Sequence, residues 1–373
     1  MAGPPEWPLG LAWLAHALGR DLQRAARAAH GPQHLWQGST AQLAAWLGGG
    51  PADADRAVAA RAAFRASAAR EALAGRGIVH VPLTAVDYPA RLRAIFDPPF
   101  GLFGAGAMMA SLHAMRAAPV VAIVGSRRPS GAGRQLAAAL ARGLVERGAV
   151  VVSGLARGID AAAHEGALDA DGRTVAVLGS GVDRVHPRRH VDLAQRICAS
   201  GAVIGEYWPG TEPAPWRFPA RNRIVAGMCD AVVVVEAAAR SGALITADFA
   251  MENGTPVLAV PGWPSSDLSA GCNALLRCGA ALCEGPDDVV AEVPHGAWVD
   301  APVPVVATGA AAAVLVALGR QAAGVDQLAV SCGLRHAEVA VALAGLEMEG
   351  LVAREDGGLF RAVGRAPGRD AGE

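Results

Sequence analysis

The chain has 373 residues, 52% apolar and only 18% charged, which gives core for two or three domains and rules out wholesale disorder. It contains no lysine, so all 33 basic residues are arginines, each a planar and permanently charged fork. The net charge of −1 hides an asymmetry: residues 1–115 carry 10 Arg and 7 acids, 116–240 carry 16 and 11, and 241–373 carry 7 and 16, so an anionic partner belongs in the middle third. Six cysteines in so long a chain are not a disulfide scaffold. Cys272, Cys278 and Cys283 lack a CxxC pair and sit among Ala and Leu, as small buried thiols do, so no metal is expected there. No apolar stretch reaches the ~18 residues of a membrane span, and the start Met1-Ala2-Gly3-Pro4-Pro5-Glu6 has no basic leader. The expectation is a soluble, cytoplasmic protein without a membrane partner.

From about Leu9 to Leu73 an Ala/Leu/Arg-rich region has helical spacing, broken at Gly48-Gly49-Gly50-Pro51. From about Gly77 to Val293, β-branched runs at 120–124, 150–152, 174–178, 203–204, 232–235 and 257–260 alternate with Ala-rich helical stretches. Runs apolar on both faces, joined by long crossovers, predict a doubly wound, mostly parallel α/β sheet of Rossmann-like type. After Pro294, Pro302 and Pro304 comes a last module. Its Val325-Asp326-Gln327-Leu328, the Gly333 break, a helix over 338–348 and the turn Asp356-Gly357-Gly358 follow the order of a winged helix. The acidity of this last third argues against its gripping duplex DNA as a regulator, the role such a module would otherwise suggest. The boundaries expected are 1–75 helical, 76–295 Rossmann-like, 296–310 linker, 311–363 winged-helix-like and 364–373 a disordered tail.

Ligands of parallel sheets sit at the carboxyl ends of the strands, where helix N-termini point amide donors outward. Gly125-Ser126-Arg127-Arg128-Pro129-Ser130 follows the first run, with Ser130 placed to cap the next helix. Ser153-Gly154-Leu155-Ala156-Arg157-Gly158-Ile159-Asp160 follows the second, with Asp160 as expected N-cap. Arg184, His186, Arg188, Arg189 and His190 follow the third. The fourth leads to Glu206-Tyr207-Trp208 and then Trp216-Arg217-Phe218-Pro219-Ala220-Arg221-Asn222-Arg223. Glu236, then Ser241 and Thr246, follow the fifth. Glycines, hydroxyls and arginines thus recur at one sheet edge, which suits the successive phosphates of a nucleic-acid strand. Tyr207, Trp216 and Phe218 are placed to stack bases, and no Arg/Asn-rich helix reads a groove, so a single strand is the expected ligand.

Plainer roles compete: caps and arginine partners for Asp160, Glu206 and Glu236, and a structural role for His164. GxGxxG, the Walker lysine, HExxH and a Ser–His–Asp order are absent, so neither a cofactor nor a catalytic residue is expected. The alternative is a nucleotide hydrolase of the phosphoribohydrolase type using Glu206 or Glu236 as acid or base, although that group's Pro-Gly-Gly-x-Gly-Thr loop is missing.

At these residues the sequence resembles the DprA (Smf) family of bacterial DNA-processing proteins. The resemblance runs from about Gly77 to Val290. It rests on Asp87-Tyr88-Pro89, Asp97-Pro98-Pro99, Val124-Gly125-Ser126-Arg127, the 153–160 loop, Ala163-His164-Glu165-Gly166-Ala167-Leu168, Phe218-Pro219-Ala220-Arg221-Asn222-Arg223, Ser241-Gly242-Ala243-Leu244-Ile245-Thr246-Ala247, Pro261-Gly262 and Gly271-Cys272-Asn273-Ala274-Leu275. It implies a helical, SAM-like module before the Rossmann-like domain. It also implies a homodimer that binds single-stranded DNA without catalysis and loads the RecA recombinase during natural transformation. Gly125, Ser126, Arg127, the loop of Ser153, Gly154, Arg157 and Gly158, and then Arg221, Asn222 and Arg223 match the family's DNA-pocket motifs. Arg188 and Arg217 stand near its basic contacts. With Arg128, Ser130, Phe218, Ser241 and Thr246 from the loop reading, these form the expected DNA-binding set. The sequence departs from the family at Ala132, where an aromatic commonly stands, and at Gly205, usually Ser.

Overall fold

The computed structural model describes residues 6–299, 309–318, 322–348, 351–355 and 358–362. The chain divides into two compact units, Met1–Asp300 and Ala301–Glu373. The first opens with helices Trp7–Leu18, Gln23–Ala28, Pro32–Gln37, Thr40–Leu47, Pro51–Ala63 and Ala66–Ala74. Their ends follow local chemistry. Gly19 and Gly48 take left-handed φ of 68° and 67° where the first and fourth helices stop, and Pro51 opens the fifth. A Ser39/Gln42 capping box opens the fourth. Leu11, Leu14, Leu22, Leu35, Leu43 and Leu47 fill the space between them.

A sheet follows: β1 (Val79–Pro82), β2 (Gly101–Ala105), β3 (Val120–Gly125), β4 (Val150–Ser153), β5 (Thr174–Leu178), β6 (Ala202–Gly205), β7 (Ala231–Val235), β8 (Val257–Ala259) and β9 (Ala281–Leu282). Among the described residues its order is β1-β2-β6-β5-β4-β3-β7-β8-β9. The pairs from β6 through β9 are parallel, whereas β1–β2 and β2–β6 are antiparallel. The chain steps outward from β3 to β6 and returns to place β7 on the other flank of β3. That puts the topological switch point between the carboxyl ends of β3 and β7.

Alternation within each strand explains the doubly apolar runs. Val120, Ala122 and Val124 of β3, with Val232 and Val234 of β7, pack under helices Arg217–Met228 and Gly242–Glu252. Val121, Ile123, Val233 and Val235 face helices Gly131–Glu146 and Ile159–Asp169 on the opposite side. The mostly parallel sheet expected from the sequence is present. The unforeseen strands are β1 and β9 at the two edges and β2 beside β1, which carry Pro or Gly or only two residues.

In the second unit, helices Ala310–Leu318, Val325–Cys332 and His336–Met348 precede an antiparallel pair, β10 (Val352–Arg354) and β11 (Phe360–Ala362). Val314, Leu328, Val339, Leu343, Val352 and Phe360 share its core, and Gly333 ends the middle helix at φ 65°. This is the three-helix-and-hairpin arrangement of a winged helix. Pro302 and Pro304 of the expected linker, the Asp356-Gly357 part of the turn and the 364–373 tail lie outside the described residues. No single helix among the described residues is long and apolar enough to cross a membrane.

Candidate nucleic-acid interface

The loops after β3, β4 and β7, together with the start of helix Arg217–Met228, enclose one trough of about 660 Å³. Gly125, Ser126, Arg127, Arg128, Gly154, Arg157, Phe218, Arg221, Asn222, Ser241 and Thr246 of the expected set line it. A side arm of about 370 Å³ shares Arg127, Gly154, Arg157, Phe218 and Arg221 and adds His186, Pro187 and Arg189.

Close backbone approach is what admits the first two loops. A Cβ on Gly125 would stand 1.9 Å from the Val235 carbonyl, and one on Gly154 would stand 2.3 Å from Arg221 Nη2. Gly158, at φ 85°, lies against the Ser126 carbonyl. Ser130 caps helix Gly131–Glu146 by accepting from the Gly133 amide at 2.9 Å.

Arg221 forms the floor. Its Nη1 donates to the Gly154 carbonyl at 2.8 Å and to the Val177 carbonyl, so both carbonyls are satisfied in the interior. Burial pulls its pKa down to about 10, which leaves it charged at neutral pH. Asp160 lines the same trough, largely buried. Burial pushes its carboxyl above the usual aspartate range, against the opposing charges of Arg221 and Arg127 and the Ala156 amide.

Arg127, Arg128, Arg157 and Arg189 are exposed, and none of them forms an ion pair among the described residues. Arg127 sits over the Phe218 ring at 5.6 Å, and the His186 ring lies 5.5 Å from the same ring. An aromatic face thus stands among unpaired cations, a surface able to hold a phosphate chain and stack a base together.

Not every expected residue reaches the trough. Arg223 is buried with its Nη2 2.6 Å from Glu206 Oε2 and its Nε 3.2 Å from Asp97 Oδ2, a brace behind the sheet edge. The Glu206 and Asp97 carboxylates raise its pKa. Two residues apart on a helix point roughly 200° apart, so Arg221 and Arg223 have to take opposite faces. Arg217 donates to the Glu212 carbonyl and lies over Tyr207 (5.2 Å) and Trp216 (4.8 Å), so these two rings sit in a separate cluster from Phe218. Ser153 is sealed, donating to the Ile123 carbonyl at 2.6 Å. Arg188 is not among the lining side chains, whereas its neighbour Arg189 is.

Asp160 is not an N-cap. Helix Ile159–Asp169 starts one residue before it, and its carboxylate turns back to accept from the Ala156 amide at 3.1 Å. Ala156, Pro215 and Ala238 also line the trough; being apolar, they gave no chemical signal in the sequence. Cys272 and Cys283 are core residues whose thiols burial pushes up to about 11 and about 12.

The family model for DNA recombination-mediator protein A matches residues 80–294, and that for the DprA winged helix domain matches residues 300–358. The putative DNA processing protein DprA of Mycobacterium tuberculosis (strain H37Rv) is 46% identical over 275 residues, 72% of this chain and 70% of that one. Protein Smf of Escherichia coli is 37% identical over 291 residues, 75% and 76% of the two chains. Among solved structures, DprA of Streptococcus pneumoniae aligns at TM-score 0.65 and 32% identity over 78% of this chain and 99% of its own. DNA processing protein A of Helicobacter pylori, described for its single-stranded DNA binding mode, aligns at TM-score 0.51 and 29% identity over 58% and 96%. With one family model covering the sheet domain and another the winged helix, the chain belongs to the DNA recombination-mediator protein A family, the DprA or Smf DNA-processing proteins.

Proposed function

We propose that the chain binds single-stranded DNA in the trough, without catalysis, and that it acts in the cytoplasm as a homodimer that passes the strand to the RecA recombinase. The observation that carries the binding reading is the convergence of Arg127, Arg157 and Arg221 on one continuous trough beside Phe218. Exposed unpaired guanidiniums supply sequence-independent attraction for phosphates, and the ring supplies stacking that any base satisfies. The RecA, dimer and localisation parts rest on family membership. So does the division of labour among a helical module (1–75), a strand-binding sheet domain (76–295) and a winged-helix module (311–363).

The hydrolase alternative loses its two candidate groups to structural duties. Both Glu206 oxygens accept from Arg223, and both Glu236 oxygens accept from Ser130. The reading is tested by comparing oligo-dT, a duplex of equal length and a mononucleotide in a filter-binding assay at one salt concentration. Oligo-dT is expected to bind at least tenfold more tightly than either competitor, about 1.4 kcal/mol. Equal binding of the mononucleotide, or release of free base from it, contradicts the reading.

A further inference from the structure

The switch-point crevice between β3 and β7 is where a doubly wound sheet ordinarily offers a helix N-terminus to a phosphate. Here the protein's own carboxylate stands there. Glu236, the first residue after β7, has φ 51°, a left-handed conformation that side chains other than glycine rarely adopt. That turn lets its carbonyl accept from the Ser126 amide at 2.7 Å and aims its side chain across the crevice. Oε2 accepts from the Ser130 amide at 2.8 Å, and Oε1 from the Ser130 hydroxyl at 2.5 Å. The carboxylate lies over the first turn of helix Gly131–Glu146 so closely that a Cβ on Gly133 would meet it at 2.4 Å. The neighbouring loop repeats the device, because Asp160 occupies the first turn of the next helix and takes the Ala156 amide.

We propose that Glu236 is an internal anion that fills the phosphate seat at the switch point, next to the 125–128 loop that lines the trough but not itself part of the lining, and so sets which phosphates the protein takes. Compact, multiply charged polyphosphates are denied the helix N-terminus, and phosphates are left to the arginine side chains on the rim. Those side chains are spread out and suit a chain of singly charged diesters. The exclusion of polyphosphates stands on the geometry alone; the preference for a strand rests on the function proposed above. Glu236 is thus a positioning and specificity residue, holding the 126–130 loop while occupying the place of a ligand.

The test uses the full-length chain and its Glu236→Ala, Glu236→Gln and Ser130→Ala variants. Inorganic pyrophosphate and oligo-dT are titrated separately by calorimetry, and each variant is melted to verify folding. Glu236→Ala is expected to gain about tenfold in pyrophosphate affinity, with a smaller gain for Glu236→Gln, which removes the charge but keeps most of the volume. Ser130→Ala keeps the carboxylate, so it loses stability without gaining affinity. Pyrophosphate binding at the wild-type level in a folded Glu236→Ala variant overturns the proposal. If that variant does not fold, wild-type binding by Glu236→Gln does so. Failure of the unaltered protein to bind oligo-dT refutes the strand reading separately and leaves the pyrophosphate comparison standing.

Discussion

Replacing Arg223 by alanine is expected to lower the unfolding free energy by about 3–5 kcal/mol, because it leaves a buried carboxylate uncompensated. The Arg223 side chain is only 6% exposed and Glu206 15%, so little solvent is at hand to replace the bidentate contact between them. Asp97, 28% exposed, is partly hydrated and suffers less. In a unit of this size the loss corresponds to a melting temperature lower by on the order of 10 °C. Arg223→Met combined with Glu206→Gln removes both charges and is expected to recover most of the loss. Below its melting temperature Arg223→Ala keeps the wild-type salt dependence for oligo-dT, because Arg223 is not part of the trough. A drop below about 1 kcal/mol in urea titrations, or a shallower salt slope, contradicts the bracing role.

Acidification is expected to remove stability through His164. The ring projects from helix Ile159–Asp169 onto the sheet and is fully buried, with Nδ1 2.7 Å from the Thr174 hydroxyl. That hydroxyl donates its own proton to the Val151 carbonyl, so the ring is the donor and carries its proton on Nδ1. Nε2 is then a buried lone pair without a partner among the described residues, and burial pulls the pKa down to about 3. The folded-state pKa lies below the unfolded value near 6.5. The unfolded chain therefore takes up a proton that the folded one refuses, and stability falls as pH drops from about 6.5 toward 3. At pH 5 the loss from this one residue is about 2 kcal/mol. His80, lowered to about 4 by burial, adds in the same direction. Asp160, raised by burial, works the other way, so the difference between variants is the diagnostic quantity. In His164→Asn the stability change between pH 7 and pH 5 should shrink by about 2 kcal/mol. An unaltered pH dependence contradicts the assignment.

The parts of the fold legible in the sequence are those where period and burial agree. β3, β4, β5 and β7 are apolar on both faces because helices cover both, and such runs stand out without any contact information. β1 and β2 did not stand out: Val79-His80-Val81-Pro82 is a four-residue edge strand, and Gly101-Leu102-Phe103-Gly104-Ala105 joins the sheet by pairing with β6, far along the chain.

For the site, loop chemistry located the rim, and helical geometry decided which side chains reach it. Arg221 and Arg223 are chemically alike, yet one floors the trough and the other braces Glu206; their two-residue spacing was the available clue. Arg188 and Arg189 differ by which side of a short 3₁₀ turn they take, which no local pattern encodes. The role of Glu236 was hidden because it depends on a left-handed residue after β7 meeting a serine 106 positions away.

The most direct measurement is the salt dependence of oligo-dT affinity for the Arg127→Ala/Arg157→Ala double variant. Both side chains are exposed and unpaired, so the fold is left intact while two phosphate contacts go. The affinity should fall, and the slope of log affinity against log salt should become shallower by about 1.4, roughly 0.7 for each contact. An unchanged affinity and slope would contradict a trough built to hold a single strand.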